Sequence, residues 1–239
     1  MMELYWITLI VVFASLVKGI TGFGFALVAL PPLLIWYTPK EVIPVLLLCN
    51  LFSSIIIVLQ KKEHKLINKQ FKSLIIYGAL FTITGVVFLK YLPEELMVVI
   101  LSVFLIVLSI LSILGIQYPI KLTNRSYKIA GALLGFLTGS ISISGPPMAL
   151  FLYSAKVNNQ QFREIFSWFS IVTAIVALAG YFALGILTFK AVEMALIFLP
   201  ILFIGSFIGK RLNKLIPIVA FKKAILFITL FASIFILLK

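Results

Sequence analysis

The chain has 239 residues, of which 63% are hydrophobic and 11% are charged. A soluble domain carries about 25% charged residues, so this composition excludes a water-soluble globular protein and predicts a membrane protein. The net charge of +13 does not indicate nucleic-acid binding, because the basic residues fall in short gaps between apolar runs, where they encode membrane topology.

Residue types that build metal and catalytic sites are scarce. The chain has one cysteine, one histidine and no aspartate. A structural zinc site needs about four ligands, and a Ser-His-Asp triad needs an aspartate. We therefore expect no bound metal, no cofactor and no enzymatic activity. The first residues lack a basic n-region, so we also expect no cleaved signal peptide.

Eight apolar runs follow one another along the chain, and most have about the 20 residues that one helical crossing requires. The predicted fold class is therefore an all-α integral membrane protein, multi-pass in the cell membrane. The runs cover residues 4–36, 41–60, 73–90, 96–115, 127–155, 163–184, 190–208 and 218–238.

The first and fifth runs are too long for one crossing, and their glycines and prolines reach a density that breaks helices. Residues 19–24 include three glycines, and two prolines follow at 31–32. The fifth run contains Gly135 and Gly139, then serines and a Gly-Pro-Pro sequence at 142–147. Both segments are predicted to be discontinuous, with two half-helices joined by a turn as a hairpin.

Basic residues predict the orientation, because cytoplasmic loops carry the excess of lysine and arginine. Fifteen of the 20 cluster in four places, which we assign to the cytoplasm. The fifth segment, which has basic residues on both sides, must then be a hairpin. By analogy with its repeat the first segment is also a hairpin, and both termini lie outside. The cytoplasmic set is Lys61, Lys62, Lys65, Lys69, Lys72, Lys121, Arg125, Lys128, Lys156, Arg163, Lys210, Arg211, Lys214, Lys222 and Lys223. The outer set is Lys40, Lys90, Lys190 and Lys239.

The two halves of the chain correspond at a shift of 123 residues. Gly22 falls on Gly145, and the Lys-Glu pair at 40–41 falls on the Arg-Glu pair at 163–164. Each half has one hairpin and three crossings, so the second is inverted, which is an architecture of secondary transporters with a midplane site. One membrane domain is predicted, with repeats at residues 1–115 and 127–239.

The same residues carry a family resemblance. Residues 18–31 (KGITGFGFALVALP) resemble the first-repeat motif of the sulfite exporter TauE/SafE family, and residues 135–147 (GFLTGSISISGPP) resemble the second. The resemblance covers nearly the whole chain and implies transport of sulfite, sulfonates or related organosulfur anions, often outward. Family second repeats are often richer in glycine, where Ser142, Ser144 and Pro146 stand here.

The two interruptions are the predicted anion site. Half-helix N-termini offer backbone N–H groups and a positive dipole end, glycines permit close approach, and hydroxyls donate to oxyanions. Asn50 and Thr173 correspond under the repeat shift and are placed near mid-helix, where they line the site or bridge helices. The predicted substrate-binding residues are Lys18, Thr21, Gly22, Phe23, Gly24, Asn50, Ser142, Ser144, Gly145, Pro146 and Thr173.

Each of these residues has an alternative role. The glycines would serve helix packing, which is also our prediction for Gly205 and Gly209. Lys18 either binds an anion or snorkels to the interface. All seven glutamates lie in loops or near segment ends, so no deep carboxylate is expected for a proton relay. An inside-negative potential would then drive the anion outward as a uniport.

Three other functions compete with organosulfur-anion transport. One is a transporter or channel for another small solute, such as a carboxylate or other anion. Another is a non-transporting membrane scaffold, in which the breaks are sealed. An intramembrane enzyme would need a catalytic constellation that the sequence lacks. The expected partners are a small anionic substrate and the lipid bilayer, without nucleic acid, and a homo-oligomer is compatible with the sequence.

Overall fold

The computed structural model describes residues 2–59, 69–114, 122–155, 157, 159–212 and 218–238. Within these ranges the regular structure is helical and includes no strand, as the composition predicts. In chain order the helices are α1 (Met2–Thr21), α2 (Phe25–Leu33), α3 (Pro39–Leu59), α4 (Lys69–Tyr91), α5 (Glu94–Ile113), α6 (Asn124–Ile141), α7 (Gly145–Ser154), α8 (Asn159–Ala183), α9 (Phe189–Leu212) and α10 (Ile218–Leu237).

Helices α3, α4, α5, α8 and α9 are long and apolar enough to cross a membrane. Helices α1 and α10 contribute shorter apolar stretches, Tyr5–Thr21 and Ile225–Leu237. Large apolar side chains such as Val103, Ile204 and Phe231 are exposed on the outer faces of their helices. Apolar surface on this scale is unfavourable in water and is suited to lipid, so the fold is that of a multi-pass membrane protein.

Helices α1 and α9 pack closely through small residues. Gly205 lies against the Ser15 side chain, and Gly209 lies against the backbone carbonyl of Leu16. A side chain at either glycine would push the two helices apart, since the neighbouring atoms belong largely to backbone. The prediction that Gly205 and Gly209 form a packing motif is confirmed.

Helices α4 and α6 form a second closely packed pair. Gly135 and Gly139 lie inside α6, where they contact the backbone carbonyls of Gly78 and Thr82 in α4. Their assignment to the interruption of the fifth segment is therefore wrong, because they permit close helix approach and do not end the helix.

Both segments predicted to be discontinuous contain an interruption. Helix α1 is followed by α2 after residues 22–24, which we call the first break. Helix α6 is followed by α7 after residues 142–144, which we call the second break. Pro146 and Pro147 lie in the first turn of α7, where the missing N–H of proline is tolerated.

At one end of the bundle, lysine side chains link two pairs of helices. Lys190 Nζ on α9 lies 3.1 Å from Glu41 Oε1 on α3. Lys90 Nζ on α4 donates to the Leu184 carbonyl directly after α8, at 2.7 Å. Two lysines assigned to the outer face thus lie at one end, while the orientation in the membrane stays a prediction. Outside the described residues lie Lys61, Lys62, Lys65, Lys121, Lys156, Lys214 and Lys239.

Candidate functional site

The first break is a tight turn that depends on two left-handed glycines. Gly22 has a φ of 86° and Gly24 a φ of 93°, a backbone region that residues with a side chain rarely adopt. Thr21 Oγ1 donates to the Phe23 carbonyl at 2.5 Å and fixes the turn. Gly24 is the N-cap of α2 and supplies no side-chain hydrogen bond to the first turn of that helix.

Lys18 lies one turn before the first break and is buried, with a 2% exposed side chain. Its Nζ donates to Asn50 Oδ1 on α3 at 2.5 Å. The alternative that Lys18 snorkels to the interface is therefore wrong. The structure brings two predicted site residues, Lys18 and Asn50, into direct contact, and the partner of this buried amine is a neutral amide.

Arg163 contacts the first break from α8, which sequence reasoning did not foresee. Its Nη2 donates to the carbonyls of Gly19 and Ile20, both at 3.1 Å. A Cβ built on Gly22 would lie 2.8 Å from Arg163 Cγ, so the arginine passes directly over this glycine. Arg163 was assigned to a cytoplasmic loop, but it lies in the second turn of α8 and bonds to the end of α1.

The second break contains two serines, Ser142 and Ser144. Ser142 adopts a left-handed conformation with a φ of 58°, and its N–H donates to the Thr138 carbonyl at the end of α6. Its buried Oγ has no hydrogen-bond partner among the described residues. A buried hydroxyl without a partner is costly, so this atom is a candidate hydrogen-bond donor to a ligand.

Ser144 precedes α7 in the position where a serine usually caps a helix. Its carbonyl accepts from the Met148 N–H at 3.0 Å, as an N-cap carbonyl does. An N-cap hydroxyl normally accepts from the second or third N–H of the helix, but Pro146 and Pro147 have none there. The Ser144 hydroxyl is therefore available for another partner, and Gly145 keeps the only N–H within this proline-containing turn.

The first break contacts the start of α7, directly after the second break, through Phe23. A Cβ built on Gly145 would lie 2.9 Å from the Cβ of Phe23, so the absence of a side chain at Gly145 makes room for this ring. The Phe23 ring also packs edge-on against Phe162 and Phe166 of α8, with centroids 5.4 and 6.4 Å away. The predicted residues of both breaks thus belong to one contiguous region.

Thr173 is farther along α8 than the other predicted residues. It is fully buried, and its Oγ1 donates to the Phe169 carbonyl of its own helix at 2.7 Å. At 1.5 Å per residue, Thr173 is about 15 Å along the helix axis from Arg163. Its assignment to the site stays a prediction without a described contact to either break.

Glu164 was also missed as a buried residue. Its side chain is 3% exposed. The expectation that no carboxylate lies deep in the membrane for a proton relay stays a prediction, because burial by neighbouring helices does not give depth in the membrane. Hydropathy placed it at the polar start of the sixth segment, but the packing of α8 against α3, α4, α6 and α7 covers that turn. Burial of this kind depends on neighbouring helices and is not encoded in the local sequence.

Comparison with known proteins agrees with this architecture. The family model described as "Sulfite exporter TauE/SafE" matches residues 7–236. The chain belongs to the sulfite exporter TauE/SafE family. It is therefore a multi-pass protein of the cell membrane in a family of transporters. The family named from the resemblance of residues 18–31 and 135–147 is confirmed. No curated protein and no solved structure matches the chain.

Proposed function

We propose that this TauE/SafE protein is a secondary transporter that exports a small sulfur-containing oxyanion, such as sulfite or a sulfonate, through a site formed where the two breaks meet. The observation that carries this proposal is the contact of Phe23 with Gly145, which joins the breaks, beside a buried lysine whose partner is neutral. Buried charges in membrane segments are usually functional, and an anion is the natural ligand of this one.

The second break supports the proposal with donors that have lost their usual partners. Ser142 Oγ is buried without a described partner, and Ser144 cannot cap a helix whose next two residues are prolines. Hydroxyl groups donate well to sulfite and sulfonate oxygens, and they do so without the desolvation cost of a second charge. An anion between the breaks would therefore meet an amine on one side and hydroxyls on the other.

Helix packing supports two inverted repeats with hairpins at α1–α2 and α6–α7. Contacts are matched across the halves: α1 packs on α9 as α6 packs on α4, and α3 packs on α9 as α8 packs on α4. Helices α3 and α8, which are equivalent, pack on each other, as do α5 and α10. Such paired contacts are expected of two related halves, with the site near the middle of the membrane.

Membrane potential is the proposed driving force. An inside-negative potential drives an anion outward with about 2.3 kcal/mol per charge per 100 mV, so export needs no coupling ion. Transport would be electrogenic, and flux would follow the sign of an imposed potential. Stimulation of flux by a proton or sodium gradient at clamped voltage would contradict uniport but would leave the anion site intact.

Anion flux in proteoliposomes tests the proposed function. The full chain is reconstituted with sulfite or methanesulfonate inside, and a potassium diffusion potential of either sign is imposed. We expect protein-dependent flux that follows the potential. No flux of either anion under either potential would overturn the organosulfur assignment and favour a different solute or a scaffold.

Two glycine variants test whether the flux depends on the first break. Gly22→Ala forces a side chain into a left-handed turn against Arg163, so we expect flux to fall at least about tenfold, as strain of about 1–2 kcal/mol predicts. Gly185→Ala is the matched control, because Gly185 also has a positive φ, 69°, but has no atom within 4 Å of a built Cβ. Equal losses in both variants would indicate backbone strain alone.

A further inference from the structure

Arg163 has more hydrogen-bonding capacity than its contacts use. Both of its side-chain bonds are made by Nη2, to the carbonyls of Gly19 and Ile20. Among the described residues, Nε and Nη1 donate to no acceptor. A guanidinium carries five N–H donors in a planar fork that suits an oxyanion, so most of this fork remains free at the first break.

The charge of Arg163 is also uncompensated within the described part of the chain. No described carboxylate forms an ion pair with it, although the side chain is half-buried against Gly22. Glu164 follows it on α8, but adjacent residues of a helix do not face each other. Carbonyl oxygens and the negative end of α1 stabilise a cation only in part, and a buried charge normally has a counter-charge.

Lys18, in the last turn of α1, also lacks a described counter-charge. Its described partner is the neutral Asn50, and its side chain is almost completely buried. Two cations from opposite halves of the chain are thus held at the last turn of α1, and neither has a described anionic partner. The region is suited to binding two negative charges.

We propose that Arg163 is a second cationic binding residue of the anion site, and that Arg163 and Lys18 together select a doubly charged oxyanion over a singly charged one. This inference rests on the proposed function and adds the charge class of its substrate. A monoanion would leave one of the two cations without a counter-charge, whereas a dianion such as fully ionised sulfite compensates both. The free Nε and Nη1 donors bind its oxygens.

A purely structural role is the competing explanation for Arg163. Its two bonds go to carbonyls at the end of α1, where the helix itself supplies no N–H donors. The residue therefore also stabilises that end. Loss of this stabilisation would weaken the binding of every anion to a similar extent. Loss of a binding cation would instead weaken the dianion far more than the monoanion, and this difference separates the two roles.

Charge selectivity in proteoliposomes tests the inference. Half-saturating concentrations for sulfite and methanesulfonate are measured at an alkaline pH, where sulfite is doubly charged and methanesulfonate singly charged. In Arg163→Gln we expect the value for sulfite to rise on the order of tenfold and that for methanesulfonate by less than about threefold, because a charge-assisted bond is lost. Arg163→Lys should restore part of the preference, since it restores the charge.

Arg211→Gln is the matched control, because it removes the same charge from an exposed site where the guanidinium lies 4.6 Å from the Phe207 ring centroid. It should leave the selectivity unchanged. Equal shifts for both anions in Arg163→Gln, or no shift, would overturn the inference while wild-type flux upholds the proposed function. Absence of wild-type flux with both anions would overturn the proposed function and the inference together.

Discussion

The two breaks have similar backbones and different chemistry around them. The first turns through the left-handed Gly22 and Gly24 and lies beside the amine of Lys18 and the guanidinium of Arg163. The second turns through the left-handed Ser142, and the described residues that bond to it are neutral. The two breaks thus form a charged and an uncharged side of one region.

This difference suggests a division of labour within the proposed site. Cations at the first break supply the attraction that brings an anion out of water, and this attraction is strong where the dielectric constant is low. Hydroxyls at the second break supply short-range bonds that depend on geometry. Changes to the first break should therefore affect transport more than changes to the second, and changes far from both should affect stability alone.

Removal of the buried amine should have the largest effect on flux. Lys18→Met keeps the length of the side chain and removes the charge, and we expect flux to fall about 100-fold, the equivalent of about 2.7 kcal/mol. The protein should remain folded, because removing the buried amine also removes the cost of desolvating its charge. Flux at saturating and subsaturating sulfite measures the effect on transport. Thermal unfolding of the detergent-solubilised protein shows whether the variant is folded.

The loss of Lys18 also leaves the Asn50 amide without its described partner. A double variant, Lys18→Met with Asn50→Leu, removes this unsatisfied group and separates its cost from that of the charge. If flux in Lys18→Met equals that of the wild type, the amine is structural and the comparison between a charged and an uncharged break has no functional meaning.

Removal of the unpartnered hydroxyl should have an intermediate effect. Ser142→Gly and Ser142→Ala both delete Oγ, and we expect flux to fall about tenfold in each, as the loss of one bond to a charged group predicts. The two variants differ in backbone strain, because glycine adopts the φ of 58° at no cost and alanine does not. Full flux in Ser142→Gly would show that only the turn matters.

A packing glycine should affect stability and leave transport by the folded protein unchanged. Gly135→Ala places a Cβ against the backbone of Gly78, 2.8 Å from its Cα, and backbone cannot move aside as a side chain can. We expect a loss of about 1–3 kcal/mol in unfolding free energy, typical of overpacking. Thermal unfolding measures this loss, and flux is normalised to folded protein. A normalised flux as low as that of Gly22→Ala would place Gly135 in the site after all.

The sequence was sufficient for the helices and insufficient for their side-chain contacts. Hydropathy located the described helices to within a few residues. Helix α8 begins at Asn159 and the predicted segment at 163, because polar residues of a first turn are helical without being apolar. Glycine serves both close helix packing and tight turns, and the local sequence distinguishes these two roles poorly. The four-residue spacing of Gly131, Gly135 and Gly139 is a packing signal, whereas Gly22 and Gly24 at spacing two cannot share a helix face.

Arg163 could not be placed at the first break from sequence, since its target, the end of α1, is more than 140 residues away. The predicted repeat offered a signal, because Arg163 aligns with Lys40 at the shift of 123 residues. If the halves are inverted, basic residues at these two positions would lie on opposite faces of the membrane, so they could not both serve as cytoplasmic markers. Only the packing of α8 decides which of the two reaches a break.

The smallest effect is expected at the end of the bundle that carries Glu41 and Lys190, where these two charges are paired and exposed. Glu41→Gln breaks the ion pair with Lys190 and keeps an oxygen that can accept the Thr38 N–H, so the start of α3 stays capped. The two side chains are 38% and 69% exposed, and a pair this exposed contributes less than about 1 kcal/mol. We expect unchanged flux and a change of less than about 4 °C in the unfolding midpoint. A large change in flux would mean that this link between α3 and α9 controls access to the site from its end of the bundle, and that charges at the breaks are not the only ones that govern transport.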